Sequence, residues 1–216
     1  MKIAIAGTGY VGLVTAVCLA HHGHDVTCVD VDESKVKLMQ SGKSPIYEQD
    51  LEALMQQNTQ RLTYTTNYQL AYQDAEVIFI GVGTPEKKDG SANLNYVYHV
   101  ARQIAHSVER DCVVVVKSTV PIGTNDKIET LLRQELVHAV HIEVASNPEF
   151  LAQGTAVRDT LHASRIVLGV ESDYAEQVLQ RVYQGFEAPV LVTNRRSAEM
   201  IKYASNDFFG FENFLY

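Results

Sequence analysis

The chain has 216 residues, of which 46% are apolar and 20% are charged. These values are typical of a globular protein and exclude a mainly disordered chain. Its 18 lysines and arginines stand against 26 aspartates and glutamates, a net charge of −8, so the clustered positive charge of a nucleic-acid-binding protein is missing. No run of about 18 apolar residues indicates a membrane-spanning helix. We predict a cytoplasmic protein with no nucleic-acid and no membrane partner.

Cysteine and histidine usage favours neither a disulfide framework nor a metal site. The cysteines are odd in number, far apart in the sequence and embedded in apolar runs, as expected of buried free thiols in a reducing compartment. They are Cys18, Cys28 and Cys112. The histidines at 21, 22 and 24 flank a glycine, and a position at a helix C-terminus explains them better than metal ligation. We therefore expect no bound metal.

In chain order, the predicted elements alternate between strands and helices. Strands are predicted at 2–6, 25–31, 76–80, 112–116, 142–145, 165–168 and 189–192. Helices are predicted at 10–22, 32–40, 94–108 and 123–136, with further helical patterns between the later strands and one from about 197 to 210. This alternation implies βαβ units with right-handed crossovers. We predict an α/β fold of Rossmann type, doubly wound, with a mostly parallel sheet and helices on both faces.

A glycine-rich turn follows the first predicted strand. Gly7, Gly9 and Gly12 form the pattern G-x-G-x-x-G between that strand and a predicted helix. The first glycine makes a tight turn, the second lets a pyrophosphate approach the backbone, and the third brings helix and strand close together. Because free N–H groups at a helix N-terminus attract phosphates, this context predicts a dinucleotide-binding site.

An acidic residue, Asp30, lies at the carboxyl end of the second predicted strand. A carboxylate at this position accepts hydrogen bonds from the adenosine ribose and repels a 2′-phosphate, which favours NAD over NADP. The alternative is that Asp30 only caps the helix that begins near Asp32.

Further loops follow the later strands, at 81–85, 117–124 and 146–151. In an open α/β sheet, ligands bind beyond the carboxyl ends of the strands, so these loops can line one cleft. Each can also be an ordinary turn. For Glu149, the alternative is a favourable position near a helix N-terminus.

Together, these motifs resemble those of the UDP-glucose/GDP-mannose dehydrogenase family. The matching segments run from Met1 to about Phe208, nearly the whole chain. They are MKIAIAGTGYVGLVTAVCLA, the V-D-x-D around Asp30, GVGTP, KSTVPIGT, SNPEFL, RIVLG and SAEMIKYASN. Several motifs in the same order are more specific than one glycine-rich turn.

The resemblance implies NAD as the cofactor and a nucleotide sugar, UDP-glucose first, as the substrate. Enzymes of this family oxidise the sugar C6 alcohol to an aldehyde, trap it on a cysteine, and oxidise it again to a thioester that is hydrolysed to a uronate. The cofactor-binding residues implied by position are Gly7, Gly9, Tyr10, Val11, Gly12, Asp30, Lys35, Thr84, Pro85, Ser118, Thr119 and Glu149.

The resemblance also implies catalytic and substrate-binding roles. Thr119 would position a water, and Glu149 would assist that water in thioester hydrolysis. Lys202 would stabilise a developing oxyanion with help from Asn206; without the resemblance, Lys202 is simply an exposed helix lysine. The implied substrate-binding residues are Glu149, Phe150, Leu151, Lys202 and Asn206, with Phe150 and Leu151 contacting the substrate through their backbone.

The sequence departs from the family pattern after the last motif. Family members continue into a long central helix, usually the dimer interface, then a G-F-G-G-x-C segment with the nucleophilic cysteine and a second nucleotide-binding domain. We expect residues 1–196 to form the NAD-binding domain and residues 197–216 to be the start of the central helix with a truncated apolar tail. The whole enzyme is expected to be a homodimer, and this chain alone is not expected to complete the four-electron reaction.

Other interpretations stay open. The nucleotide sugar could be GDP-mannose or UDP-N-acetylmannosamine. The chain could be a module that binds NAD(H) without turnover, or a fragment that self-associates through its Phe-rich tail. That tail contains Phe208, Phe209, Phe211, Phe214, Leu215 and Tyr216.

Overall fold

In a computed structural model, the chain forms an eight-stranded sheet flanked by helices. The backbone is described for residues 1–212 and the side chains for residues 1–205. The strands are β1 (Lys2–Ala6), β2 (Asp25–Val29), β3 (Leu62–Thr65), β4 (Val77–Ile80), β5 (Cys112–Val116), β6 (Ile142–Ser146), β7 (Ile166–Gly169) and β8 (Val190–Thr193). The helices are α1 (Tyr10–His21), α2 (Glu33–Gln40), α3 (Leu51–Gln57), α4 (Tyr68–Gln73), α5 (Asn95–Ser107), α6 (Thr124–Glu135), α7 (Ala156–Leu161), α8 (Asp173–Val182) and α9 (Arg195–Glu212).

The strand order is β3-β2-β1-β4-β5-β6-β7-β8. Neighbouring strands are parallel except β6 and β7, which meet in an antiparallel contact at Ser146 and Gly169. The chain winds outward from β1 in one direction and then from β4 in the other. A crevice at the carboxyl ends of β1 and β4 follows from this reversal, and it is where such sheets bind ligands. The predicted Rossmann-type α/β fold is confirmed.

Apolar side chains cover both faces of the sheet. Along β1, Ile3 and Ile5 belong to one cluster, whereas Ala4 and Ala6 belong to the other, because successive side chains point to opposite faces. Helices α1, α3, α7 and α8 contribute to the first cluster, and α4, α5 and α6 to the second. Strands β4 (VIFI) and β5 (CVVVV) are buried throughout, as expected of central parallel strands.

Some elements differ from their prediction. Helices α3 and α4 and strand β3 were not predicted, because their four to seven residues are too short for a clear periodicity. Strand β2 ends at Val29, so Asp30 lies just beyond it rather than within it. None of the helices in the described part of the chain is long and apolar enough to cross a membrane. The Phe-rich tail has its side chains outside the described residues.

Candidate functional site

The glycine-rich turn closes directly onto the sheet. Gly7 has φ +92°, a left-handed conformation that favours glycine, and its N–H donates to Val29 O at 2.8 Å. A Cβ on Gly12 would lie 1.9 Å from the oxygen of Gly7, whereas no atom in the described part of the chain lies within 4 Å of the Cβ position of Gly9. Gly9 also precedes α1 without a capping side chain. The turn is therefore tight at Gly7 and Gly12 and open at Gly9, as the dinucleotide-binding pattern requires.

Asp30 faces this turn. Its Oδ2 accepts from Thr8 N at 3.0 Å and from Thr8 Oγ1 at 2.5 Å, and its Oδ1 accepts from Asp32 N at 3.0 Å. The cap of α2 is Asp32, which accepts from Ser34 N at 2.9 Å and from Lys35 N at 3.3 Å. The interpretation of Asp30 as only a helix cap is therefore wrong, because Asp32 fills that role and Asp30 holds the turn.

The charge of Asp30 is set by opposing effects. Burial disfavours its ionised form, but the hydrogen bonds from Thr8 and Asp32 and the nearby charge of Lys35 outweigh burial and lower its pKa below the ordinary value. Asp30 is therefore a carboxylate at neutral pH. This charged neighbour, Lys35, is one of the cofactor-binding residues that the family resemblance implies.

The loops after β4 and β5 are tied to each other beside the turn. Thr84 Oγ1 donates to Thr119 O at 2.9 Å, and Ser118 Oγ donates to Val82 O at 2.6 Å. The Cβ position of Gly81 lies 3.1 Å from Cα of Gly12. These contacts bring together, at one edge of the sheet, loops that are distant in sequence. Val11, at the start of α1, is half-buried, and Pro85, in the loop after β4, is exposed.

The turn also connects to the loop after β6. The hydroxyl of Tyr10, at the start of α1, accepts a hydrogen bond from Gly154 N at 2.8 Å. The buried Glu48 accepts from the same N–H at 2.9 Å and from Ala156 N at 2.8 Å. The sequence did not predict Glu48 as part of this region. Its involvement is shown by its burial in the folded protein.

A buried ion pair joins α9 to the loop after β6. Lys202 Nζ is 3.0 Å from Glu149 Oε1, with side-chain exposures of 9% and 12%. Glu149 Oε2 also accepts from Leu151 N at 2.7 Å, and the Lys202 ammonium lies 5.5 Å from the ring centre of Phe150. The interpretation of Lys202 as an exposed helix lysine is therefore wrong. Glu149, Phe150, Leu151 and Lys202 are brought together as the resemblance implies.

Two other expected members of this group are Thr119 and Asn206. Thr119 lies in the loop after β5, where its carbonyl contacts Thr84, and is half-buried. The side chain of Asn206 lies outside the described residues, although its backbone is part of α9.

Helix α9 is anchored so that Lys202 reaches the site. Glu199, one helical turn before Lys202, is buried and accepts from Gly123 N at 2.6 Å and from Asn125 N at 2.9 Å. These N–H groups lie at the start of α6, where the N-cap residue Gly123 has no side chain to accept them. Arg195 Nη2 lies 2.6 Å from Glu129 in the same helix α6. Two charged contacts therefore hold the position of α9 against α6.

A second lysine, missed by the sequence reasoning, lies beneath the loop after β6. Lys117 is 8% exposed, and its Nζ donates to Asn147 Oδ1 at 3.1 Å. That oxygen also accepts from the hydroxyl of Tyr183, and Asn147 Nδ2 donates to Val167 O at 2.9 Å. Burial lowers the pKa of Lys117 to about 8, although the charge of Glu149 opposes the fall. In the sequence, the position of Lys117 directly after the apolar strand β5 was the available sign that it is buried.

The cysteines and histidines offer neither a nucleophile nor a metal site in the described part of the chain. All three cysteines are free and buried, and burial raises each thiol pKa to about 12, so none is a thiolate at neutral pH. His22 stacks on Phe186 and His24 Nε2 contacts Val182 O at 2.9 Å. Burial lowers the pKa of both histidines, so packing, rather than a charged interaction with the helix end, explains them.

Comparison with known proteins identifies the family. A family model described as the UDP-glucose/GDP-mannose dehydrogenase family, NAD binding domain, matches residues 1–187. UDP-glucose 6-dehydrogenase YwqF of Bacillus subtilis is 51% identical over 210 residues, covering 96% of this chain and 48% of that protein. UDP-glucose 6-dehydrogenase of Rhizobium meliloti is 45% identical over 216 residues, covering 96% and 49%. The chain thus spans about half the length of the curated relatives it matches.

Solved structures agree with this match. A GDP-mannose dehydrogenase from Pseudomonas aeruginosa superposes with a TM-score of 0.93 at 40% identity, over 98% of this chain and 50% of that one. A UDP-glucose dehydrogenase from Pyrobaculum islandicum gives a TM-score of 0.92 at 40% identity, over 95% and 49%. The resemblance inferred from the motifs is confirmed, and the matched domain binds NAD. The chain belongs to the UDP-glucose/GDP-mannose dehydrogenase family, and it corresponds to the N-terminal, NAD-binding half of its members.

Proposed function

We propose that this chain is the cofactor-binding half of a UDP-glucose 6-dehydrogenase, whose whole protein oxidises C6 of UDP-glucose with NAD. The observation that carries the proposal is the buried Lys202–Glu149 pair, with a 3.0 Å separation, in a domain that also has an open glycine turn. A binding turn alone would suit any dinucleotide-binding protein. A lysine brought into the loop after β6 by a separate helix adds a group that can act on a substrate.

The residues around the turn fit NAD. The open space at Gly9 leaves room for the pyrophosphate, and the N-terminus of α1 offers its N–H groups. The Asp30 carboxylate suits ribose hydroxyls and disfavours a 2′-phosphate. NAD supplies the hydride acceptor when it is bound. The remaining proposed contacts come from Gly7, Tyr10, Val11, Gly12, Lys35, Thr84, Pro85, Ser118, Thr119 and Glu149.

The proposed roles of the ion pair follow from its chemistry. The Lys202 ammonium donates to Glu149 and can instead donate to a substrate oxygen on which negative charge develops. Glu149, released from that contact, can orient a water, with Thr119 positioning the same water. Phe150 and Leu151 would meet the sugar through their backbone, and Asn206 would assist Lys202.

For the whole protein, we further propose a homodimer that acts in the cytoplasm on a nucleotide sugar. The cytoplasmic location is supported by three cysteines that are free and buried. The division at residue 196 between an NAD-binding domain and the start of a central helix stays a prediction. The sequence relatives favour UDP-glucose, whereas GDP-mannose is supported by the structural match to a GDP-mannose dehydrogenase.

A second candidate function is an NAD(H)-binding module without turnover. It is favoured by the cysteines, because no thiol in the described part of the chain is exposed or ionised at neutral pH. Without a nucleophilic thiol, the family's second oxidation has no acceptor for the aldehyde.

The test is NADH formation by the purified chain with NAD and UDP-glucose, with GDP-mannose as the comparison sugar nucleotide. NADH binding, followed by fluorescence, is measured on the same preparation. Lys202→Ala is the test variant, and Lys88→Ala, an exposed lysine in the loop after β4 that is assigned no role in the site, is the matched control.

Each result separates the candidates. Sugar-dependent NADH that Lys202→Ala abolishes and Lys88→Ala preserves supports the dehydrogenase role. Bound NADH without any effect of sugar nucleotides supports the binding module. Turnover with GDP-mannose alone overturns UDP-glucose as substrate, and failure to bind NADH overturns both candidates.

A further inference from the structure

A cavity of about 270 Å³, open to solvent on one side, lies behind the loop after β6. It is bordered by α1, by that loop, by α7, by the start of β7 and by the residues just after α8. The glycine turn, Thr119 and Lys202 do not border it, whereas Glu149, Phe150 and Leu151 of the candidate site do. Its polar lining includes Thr15, Lys117, Asn147, Thr160, Arg165 and Tyr183. We call it the inner cavity.

Two buried polar groups of the inner cavity lack the partners that burial demands. Thr15 is 2% exposed, and its Oγ1 has no hydrogen-bond partner among the residues whose side chains are described. Lys117 carries an ammonium with three N–H donors, and Asn147 is its hydrogen-bond partner among the described residues. An unpaired buried hydroxyl and an under-coordinated buried ammonium each cost free energy, so both favour a ligand that accepts hydrogen bonds.

The charges around the inner cavity are unequally compensated. The charges of its two carboxylates are already paired, Glu149 with Lys202 at 3.0 Å and Asp159 with Arg158 at 3.4 Å. Its two cations, Lys117 and Arg165, have no carboxylate within 4.0 Å among residues whose side chains the structure describes. The uncompensated charge that the cavity presents is therefore positive, and an anion would balance it.

We propose that the inner cavity binds an oxyanion, with Lys117 and Thr15 at its buried end and Arg165 at its exposed mouth. Phosphate and carboxylate groups share the chemistry that these donors recognise. The oxyanion belongs either to the sugar nucleotide or to a separate small metabolite. The cavity volume is several times the roughly 30 Å³ that a water occupies, which leaves room for more than the anionic group itself.

The ionisation of Lys117 couples to this binding. Burial lowers its pKa to about 8; Glu149 and Cys18 act to raise that pKa, and Lys202 acts to lower it. The hydroxyl of Tyr183 shares Asn147 with Lys117, and Asp159, His162 and Arg165 line the same cavity. An anion beside the ammonium raises the pKa of Lys117, so binding near pH 8 takes up a proton. Above this pH, free Lys117 is neutral and the affinity falls.

The experiment measures sulfate and phosphate binding to the whole 216-residue chain by calorimetry. Sulfate is the probe for the pH series, because it does not titrate between pH 6 and pH 10, and acetate tests the carboxylate class. The variants are Lys117→Met, Thr15→Val and Arg165→Met, with Lys88→Met as the matched control. Lysine side-chain NMR follows Lys117 directly in the unsubstituted protein. NADH binding is measured on every sample, so that a failure of the proposed NAD binding is distinguished from a failure of oxyanion binding.

We expect saturable sulfate binding that weakens as the pH rises through 8 and 9, with proton uptake near pH 8. Lys117→Met should weaken binding by about tenfold or more and remove its pH dependence, and Thr15→Val should weaken it by about threefold. Because Lys117→Met removes a buried group, Arg165→Met and the NMR titration keep the test valid if that variant does not fold. Lys88→Met should bind as the unsubstituted protein does.

Competition with UDP-glucose distinguishes the sources of the oxyanion. Loss of sulfate binding when UDP-glucose is present assigns the oxyanion to the sugar nucleotide, whereas independent binding of both assigns it to a separate metabolite. The proposal is overturned if no probe binds at millimolar concentration, or if the probes bind equally well to Lys117→Met and shift no resonance of Lys117.

Discussion

Replacing Lys117 by methionine should make the protein more stable at neutral pH. The side chain is 8% exposed, and its ammonium meets no carboxylate within 4.0 Å among the described residues. Methionine has a similar length and flexibility but no charge, so it fills the same space without a desolvated cation. Most substitutions of buried residues destabilise a protein, so an increase in the free energy of unfolding would be unusual. Its sign therefore tests whether the buried charge of Lys117 destabilises the folded protein.

The magnitude follows from the pKa of Lys117. Burial lowers it from 10.5 to about 8, which corresponds to about 3 kcal/mol of free energy that disfavours the charged form in the folded state. The variant loses the hydrogen bond to Asn147, worth about 1 kcal/mol, while the Tyr183 hydroxyl still donates to the same oxygen. The free energy of unfolding at pH 7 should therefore rise by about 2 kcal/mol in Lys117→Met.

The pH dependence has a definite sign. Between about pH 8 and pH 10.5, the unfolded chain holds a proton on Lys117 that the folded chain has released, so the stability of the unsubstituted protein rises with pH relative to the variant. The advantage of Lys117→Met should shrink through this window and reverse by about 1 kcal/mol once the lysine is neutral in both states.

Urea unfolding followed by circular dichroism at pH 7, 8, 9 and 10 measures this difference. Lys88→Met, an exposed lysine substituted in the same way, is the control and should follow the unsubstituted protein at every pH. Two results would refute the reasoning: a Lys117→Met variant less stable than the unsubstituted protein at pH 7, or pH profiles that run parallel.

Three further predictions concern the turn and the ion pair. Gly12→Ala would place a Cβ 1.9 Å from the oxygen of Gly7; NADH fluorescence should show lost binding, and normal binding would contradict the proposed turn. Asp30→Asn removes the charge that repels a 2′-phosphate, so the NADH-to-NADPH affinity ratio should fall by about tenfold, and an unchanged ratio would count against this role. Glu149→Gln leaves the buried Lys202 ammonium unpaired and should lower the free energy of unfolding by about 3 kcal/mol. Adding Lys202→Met should restore most of that loss in urea unfolding, and additive losses would disprove the pairing.

Several features of the protein follow from the sequence by itself. The alternation of apolar strands with helical patterns predicts the parallel sheet, because each period reports a local geometry. The glycine turn is equally local: Gly7, Gly9 and Gly12 lie within a few residues of each other, between elements with clear patterns. The cofactor class and the family were therefore accessible from motifs in their order along the chain.

The short elements between residues 50 and 73 were not predictable in this way. Strand β3 has four residues and α4 has six, so neither completes enough periods to distinguish a helix from a strand. Strand β3 exists because it pairs with β2 at the edge of the sheet. Pairing with a remote segment, rather than local preference, decided its conformation.

Only the tertiary structure decided which charges are buried and what they meet. Lys202 and Glu149 are far apart in sequence, and the contact of Glu199 with the start of α6 holds α9 where Lys202 meets the loop after β6. Lys117 stands in a motif visible in the sequence, yet its burial depends on Asn147 and Tyr183, which arrive from other elements. A local pattern specifies how a segment folds, but the environment of a charge is the sum of contacts from distant segments, and that sum exists only once the chain is packed.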